Sequence, residues 1–320
     1  MKKFGSSIER VEGVREEEKK KEILEVMGEI FDSQIFEELK EREREKTPEE
    51  LQIIDIANDA TNKLREYFGL EDFDIPADNI HVIKEKVWEN SPYKNKAAIF
   101  ALEKQSVVMR EISVKLVLLT KLIHEMIHFK SYHVLQEEKE TEKISQYRMG
   151  LVCQTRDGKT EYLRNLNEAV TEIATIHLMK KVAEANPIFD FEIKQTQEVI
   201  ARYKNARKRD GENLFTEDTY YAEVLPEKKV KIMVEDFISK EQRKNLNLLI
   251  DKLFEQNPDK FDSRDEVFDI FVKAMLDGNI LPLGRLLEKT FGQKDCRLIL
   301  RKLAELDADI EKQREFIVSL

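Results

Sequence analysis

Residues 112–129 form the most apolar part of the chain and, with the residues that follow to about 136, constrain its fold more than any other segment. Leu, Ile, Val and Met recur there at helical spacing, and no Gly or Pro intervenes, which predicts one long and largely buried helix. Lys115, Lys121, His124 and Glu125 interrupt its first part, which is therefore too polar to cross a bilayer. Burying such a helix requires a sizeable core, and a chain of 320 residues can supply one without disulfides.

The remaining sequence predicts an α+β fold that is mainly helical. Charged residues make up 37% and hydrophobic residues 41%, with only 10 Gly and 7 Pro, which is typical of helix-rich globular proteins. Two strand pairs are predicted, one formed by 97–102 and 106–109, the other by 151–154 and 159–163. The second pair flanks Asp157-Gly158, which favours a tight turn with both residues at positive φ.

Three regions follow from the local patterns. Residues 1–46 are predicted to form a charged helical arm, which is either solvated or a contact site for a partner. The core region, 47–225, begins with a helix to about residue 68, started by Thr47, Pro48 and Glu50. A later helix, to about residue 184, is predicted to be capped by Asn165 or Asn167. Residues 226–320 are predicted to form amphipathic helices broken near 257–258, 277–278 and 291–292, which would make the other wall of the active-site cleft.

The net charge and the cysteine content limit which binding partners and which cellular compartment are expected for the protein. The formal net charge of -10 argues against a general nucleic-acid binder. The N-terminus lacks an apolar stretch of signal-peptide length, and no segment is apolar enough for a membrane span. Cys153 and Cys296 show no CxxC spacing and read as reduced thiols. We therefore expect a cytoplasmic protein without a membrane partner.

The buried helix carries an HExxH pattern, His124-Glu125-Met126-Ile127-His128. At about 100° per residue, the two imidazoles stand one turn apart on the same face and can share one metal ion. Glu125 is then placed to reach a water on that ion. Two imidazoles among Leu, Ile and Met are costly to bury without a partner. The pattern therefore predicts a metal site rather than two structural histidines.

A catalytic zinc site needs a third protein ligand and keeps a fourth position for water. His133 lies roughly 140° around the helix from His128, and the elongated metzincin motif is excluded because Ser131 and Val134 replace its Gly and His. The acidic run Glu137, Glu138, Glu140 and Glu142 is expected to continue the helix or its end and to be solvated. Another acidic pair, Glu168 and Glu172, lies one turn apart at the start of the next long helix.

Taken together, His124 to His128 followed by Asn167-Glu168-x-x-x-Glu172 resembles the thermolysin-like gluzincin family of zinc metallopeptidases. The resemblance covers roughly residues 97 to 185. It implies a zincin-like core with a small sheet beside the motif helix, and Glu168 as the third zinc ligand. Glu172 takes the place of the acid, commonly Asp in the family, that orients the first histidine. Helical spacing alone also permits the reverse order of the two glutamates.

The resemblance implies zinc-dependent hydrolysis of a peptide or protein substrate, with Glu125 as general base and then general acid. The family supplies an oxyanion donor as Tyr or His, and we select Tyr220, with Tyr221 and Tyr162 as alternatives and a packing role as the plainer reading. A substrate would add as a strand against an edge strand within 97–109. The alternative is a zincin-fold regulatory or peptide-binding module without hydrolytic activity.

Overall fold

The computed structural model describes residues 8–33, 42–138, 144–208, 210–225, 231–292 and 296–320. Within these ranges the chain is α+β and mainly helical, as the composition predicts. Its eleven described α-helices are α1 (Glu17–Ser33), α2 (Pro48–Tyr67), α3 (Glu85–Trp88), α4 (Lys115–Lys130), α5 (Arg164–Ala185), α6 (Asp190–Tyr203), α7 (Lys240–Glu255), α8 (Arg264–Asp277), α9 (Leu281–Phe291), α10 (Cys296–Glu305) and α11 (Ile310–Ser319).

Ten described strands form three small sheets. They are β1 (Ile8–Glu12), β2 (Ile80–Ile83), β3 (Ala98–Ala101), β4 (Ser106–Arg110), β5 (His133–Glu137), β6 (Ile144–Met149), β7 (Val152–Gln154), β8 (Glu161–Tyr162), β9 (Thr219–Leu225) and β10 (Lys231–Asp236). The largest sheet has the order β1-β5-β6-β7-β8, with β1 parallel to β5 and the other pairs antiparallel. The order β2-β4-β3 makes β3 an edge strand, antiparallel to β4. β9 and β10 pair as an antiparallel ribbon.

Helix α4 lies at the centre of the core. It packs against α2, α5 and β3, and all of its residues are buried except Lys115, Lys121 and Glu125. Leu119 and Leu122 are wholly inaccessible to solvent. Each buried Leu side chain contributes on the order of 1.5–3 kcal/mol to folding. The core therefore holds the HExxH residues on a rigid element.

The motif helix is shorter than predicted, because it ends at Lys130 and not near residue 136. The chain then enters strand β5, so the predicted helical setting of Glu137 is wrong. Two distant contacts end the helix: Arg65 donates to the Lys130 carbonyl, and the Tyr132 amide donates to the Met275 carbonyl, 3.1 Å away. The residues after Lys130 are as apolar as those before it, so the local pattern contains no stop signal. Glu140 and Glu142 lie outside the described residues.

Both helices of the site are capped by carboxylates from distant parts of the chain. The two oxygens of Glu192 accept hydrogen bonds from the backbone amides of Lys115, at 2.9 Å, and Leu116, at 2.7 Å. Asp307 accepts from the Asn165 amide, at 3.0 Å. The prediction that Asn165 or Asn167 caps the second helix is wrong, because α5 begins at Arg164 without a side-chain cap of its own. Such caps satisfy amides that a helix leaves unpaired, and they favour negative charge at its positive end.

Several local predictions are confirmed. Thr47 and Glu50 form a reciprocal capping box at the start of α2. The predicted strand pairs form as β3 with β4 and β7 with β8. The turn between β7 and β8 differs from the prediction, because only Gly158 has positive φ, at +66°. A Thr155–Thr160 backbone bond closes this longer turn.

The N-terminal arm is only partly helical. Residues 8–12 form strand β1, which adds to β5, while α1 supplies the predicted helix. Met27 of α1 packs with Val11 and Leu135 in a small hydrophobic cluster. The charged pattern obscured this strand, because it is short and only Val11 is buried. The expected partner contact through the arm stays a prediction, and residues 34–41 lie outside the described ranges.

The described residues of the C-terminal region, 231–292 and 296–320, form strand β10, which was not predicted, followed by the predicted helices α7 to α11. Of these described residues, only Ile238 lines the cleft beside α4, and it lies in the loop before α7, so the described helices do not form the cleft wall that the sequence predicts. Their breaks fall near the expected positions, and Gly278 and Gly292 follow α8 and α9 at positive φ. Helices α7 and α8 pack against α5. Every helix in the described ranges is too short or too polar to traverse a lipid bilayer.

Candidate metal centre

A cleft of about 400 Å³ lies between α4, α5 and the edge strand β3. Helix α4 contributes the residues that occupy one stripe of its surface, namely Thr120, Lys121, His124, Glu125 and His128. Their spacing of three or four residues is that of a single helical face. The core thus buries the rest of α4 and leaves this stripe beside the cleft.

Three side chains converge in the cleft with the geometry of a metal site. The Nε2 atoms of His124 and His128 lie 3.2 Å apart. Glu168 lies on the first turns of α5. Its Oε2 atom is 3.6 Å from Nε2 of His124, and its Oε1 atom is 3.6 Å from Nε2 of His128. One ligand atom from each residue lies within 4.8 Å of the others. A tetrahedral metal ion with bonds of about 2.0–2.1 Å would hold its ligand atoms roughly 3.3 Å apart, so the spacing of these donors fits a bound metal ion.

Glu172 lies behind this group. Its Oε2 atom is 2.8 Å from Nδ1 of His124, on the far side of the ring from the shared centre. Its Oε1 atom accepts a hydrogen bond from the Ile238 amide at 2.8 Å. A proton on Nδ1 is therefore donated to a fixed carboxylate, which leaves Nε2 as the atom free to bind a metal. The structure places Glu168 toward both imidazoles and Glu172 behind one of them.

Asn167 lies beside the second histidine. Its side-chain amide lies 3.5 Å from Nδ1 of His128, and its Oδ1 accepts from the Leu151 amide at 2.9 Å. Gly150 permits this approach, because a Cβ at that position would lie 2.5 Å from Asn167 Oδ1. The position of Asn167 beside His128 and the role of Gly150 were not predicted from the sequence.

The charges of the cluster are strongly coupled. Burial alone would lower the pKa of His124, but the nearby carboxylates of Glu168 and Glu172 raise it to about 10. Burial opposes ionisation of Glu168, but the two histidines outweigh it and hold the pKa of this carboxyl well below its usual range. Glu168 is therefore kept as the carboxylate, the form that binds a cation. Metal binding must displace a proton from His124, so acid should weaken it.

Glu125 is partly buried and lines the cleft next to His124. Its carboxylate is thus on the solvent-accessible side of the site. The third non-buried residue of α4, Lys115, lies away from the cleft lining and pairs with Glu49. Among the cleft residues of α4, Glu125 is the one whose chemistry suits proton transfer.

The three tyrosines considered as oxyanion donors are not among the residues that line the cleft. Tyr220 is 8% exposed, packs on Phe237 with ring centroids 4.6 Å apart, and is not among the residues that line the cleft. Burial raises the pKa of its hydroxyl, and the neighbouring side chain of Thr120, which lines the cleft, partly offsets that rise. Tyr221 donates to Glu223, and Tyr162 also lies outside the lining. The choice of Tyr220 as an oxyanion donor stays a prediction, on a residue that lies behind the cleft lining and not in it.

The other histidines and the described cysteine do not join the site. His133 lies in β5, where burial lowers its pKa to about 3. His81 pairs with Glu43 through Nδ1, at 2.9 Å, and His177 packs edge-on against Phe268. Cys153 is a free thiol, and the side chain of Cys296 lies outside the described residues. In the described part of the chain, His124, His128 and Glu168 form the one group whose ligand atoms meet as a metal site requires.

Sequence reasoning also missed the loop after β10. Ile238 is 44% exposed and lines the cleft, while its backbone amide holds Glu172. Ser239 follows with φ +55°, a strained conformation for a residue other than Gly, and starts α7. No local signal links this loop to a metal site, because its position depends on packing of α7 against α5.

Comparison of the chain with protein-family models, with curated proteins and with solved structures finds no match in any of the three. The assignment of the site therefore depends on its residues and their geometry.

Proposed function

We propose that the chain is a gluzincin-type zinc metallopeptidase that hydrolyses peptide bonds of peptide or protein substrates. The observation that carries the proposal is the convergence of His124, His128 and Glu168 beside Glu125 in an open cleft. Two imidazoles and one carboxylate form a donor set typical of catalytic zinc, in which a fourth position stays open for water. A purely structural zinc site would instead use four protein ligands.

The proposal assigns each side chain one task. His124, His128 and Glu168 hold zinc, which when bound polarises a substrate carbonyl and lowers the pKa of bound water. Glu125 accepts the proton of the attacking water and later delivers it to the leaving amine. Glu172 fixes the ring of His124 through Nδ1, 2.8 Å away, and Asn167 lies against the ring of His128.

The edge strand supports a peptide as the substrate. β3 pairs with β4 on one side, and residues 97–100 of this strand and its approach line the cleft. An extended peptide can add its backbone to such an edge by main-chain hydrogen bonds. This mode would carry the scissile carbonyl across the face of α4 that bears His124 and Glu125.

The test is hydrolysis of a broad peptide library by zinc-loaded protein and by its Glu125→Gln variant. The amide keeps the shape of the side chain but cannot accept the proton, so we expect unchanged zinc content and a fall in kcat/KM of at least about 100-fold. Glu184→Gln is the matched control, because Glu184 is exposed near the end of α5 and outside the cleft lining. Retained turnover by Glu125→Gln would remove Glu125 from this role. Zinc-loaded wild-type protein that cleaves no library member would instead indicate a binding or regulatory module.

A further inference from the structure

Lys121 is an unusual residue for its position. Helix α4 is buried along its whole length except at Lys115, Lys121 and Glu125, and of these three only Lys121 and Glu125 line the cleft. They are four residues apart, so they lie one turn apart on the same face, with about 6 Å between them along the helix axis. A cation thus stands one turn from the proposed proton acceptor, on the wall of the same cleft.

The Lys121 ammonium has no partner in the described part of the chain. No hydrogen bond or ion pair to it occurs within the described ranges, although its side chain is partly buried. Lys115, on the same helix, pairs with Glu49 at 3.3 Å. Holding a cation partly out of water without an anion is unfavourable, so a site of this kind gains when a ligand supplies the anion.

The neighbouring charges leave this cation available. Glu172 is engaged by His124 and the Ile238 amide, and Glu168 faces the two imidazoles. A second cation of the lining, Arg164, is already paired with Glu161, with Nε 2.6 Å from Oε2. Lys96 also lines the cleft, but it is exposed, so water screens its charge more strongly than that of Lys121.

We propose that Lys121 is a specificity-determining residue, and that it selects peptides carrying a carboxylate within about two residues of the bond that is cut. An extended peptide advances roughly 3.3–3.6 Å per residue, so about 6 Å along α4 corresponds to about two residues of substrate. The carboxylate is that of an Asp or Glu side chain or the free C-terminus of a short peptide. This inference rests on the peptide-hydrolysis proposal for the position of the bond, and on the cleft geometry alone for the binding.

The test separates binding from cleavage. A neutral, fluorescein-labelled ten-residue peptide with an amidated C-terminus carries a single Glu, moved through each position, and a matched series carries Gln. Dissociation constants are measured by fluorescence anisotropy on zinc-loaded Glu125→Gln protein, in which cleavage is suppressed. An added arm uses the same Gln peptides, shortened from the C-terminus and with a free carboxylate, to distinguish a terminal from a side-chain carboxylate.

We expect one or two neighbouring Glu positions, or one free-acid length, to bind about tenfold more tightly than the neutral peptide, with the gain shrinking at high salt. Adding Lys121→Met should abolish the difference, and Lys121→Glu should favour the same peptide with Lys at that position. Lys115→Met is the matched control, because it removes the same charge from the same helix outside the cleft. Zinc content of each variant confirms that the site is intact.

The outcomes distinguish this inference from the proposed activity. If no position and no free-acid length gains more than about twofold, or if Lys121→Met and Lys115→Met behave alike, the role of Lys121 is refuted, whether or not the wild type cleaves peptides. If the Lys121-dependent preference is present but the wild type cleaves none of these peptides, the recognition role stands and the hydrolysis proposal fails. If the wild type cleaves them, its cleavage sites should lie within about two residues of the selected carboxylate.

Discussion

The position of Asn167 beside His128 depends on a close approach that only Gly allows at position 150. Gly150 has φ +57°, and an added Cβ would lie 2.5 Å from Asn167 Oδ1 and 2.8 Å from Met275 Cγ. Gly158 has a similar φ of +66°, but no atom lies within 4 Å of its added Cβ. Alanine at either position incurs the left-handed backbone cost, about 1–2 kcal/mol. Only Gly150→Ala also incurs overpacking, which typically costs about 1–3 kcal/mol.

We therefore expect Gly158→Ala to lower the free energy of unfolding by about 1–2 kcal/mol and Gly150→Ala by about 2–5 kcal/mol. The measurement is urea unfolding of both variants with a chelator present, since zinc bound to the folded state would add its own stabilisation. Gly150→Ala should also bind zinc about 10 to 100-fold more weakly, because it displaces the amide beside His128. Equal stabilities and equal zinc affinities in the two variants would refute the reasoning.

Two further predictions concern the site and its helix. Glu168→Ala should lose zinc more severely than Glu172→Ala, because Glu172 contacts His124 and not the shared centre. The zinc affinity of Glu172→Ala should fall only about 10 to 100-fold. A zinc titration in which Glu168→Ala binds zinc more tightly than Glu172→Ala would reverse the two roles. Burial lowers the pKa of Lys130 to about 7 from an ordinary value of 10.5, so the folded state releases this proton at lower pH than the unfolded state. Lys130 should then raise the free energy of unfolding between pH 7 and 10.5 by up to about 1.4 kcal/mol per pH unit, and Lys130→Met should remove that slope. Urea unfolding of both proteins at pH 7, 8 and 9 measures the slope. A difference in stability between the two proteins that does not change with pH would contradict the prediction.

The sequence predicted the parts of the site that depend on one helix at a time. His124, Glu125 and His128 share a face because of helical periodicity, and Glu168 and Glu172 share another for the same reason. The strands β3, β4, β7 and β8 were also predictable, since alternating apolar residues and turn signals are local. Each of these features is specified within about ten consecutive residues.

The missed features depend on contacts between distant parts of the chain. The end of α4 at Lys130 is set by Arg65 and by the backbone of Met275, and no residue near 130 signals it. Glu192 caps α4 from 76 or more residues away. Periodicity cannot reveal such partners, because they become neighbours only after the core has formed.

The positions of Glu168 and Glu172 relative to the two histidines depend on both local spacing and distant contacts. Spacing alone allowed either one to face the metal, because both lie on the same stripe of α5. The positions of α4 and α5 in the core decide between them, placing Glu168 3.6 Å from both Nε2 atoms and Glu172 2.8 Å from Nδ1 of His124. A sequence pattern can thus nominate the ligands, while the packing of two helices assigns their roles.

The most direct test of the account is the zinc content of purified protein after dialysis against a metal buffer, measured by mass spectrometry on the wild type, His124→Ala and His128→Ala. We expect about one equivalent of zinc in the wild type and little in either variant, because each substitution removes one of only three protein ligands. Circular dichroism of the three proteins controls for unfolding. Equal zinc content in all three folded proteins, or no zinc in the wild type, would contradict the assignment of this cleft as a zinc site.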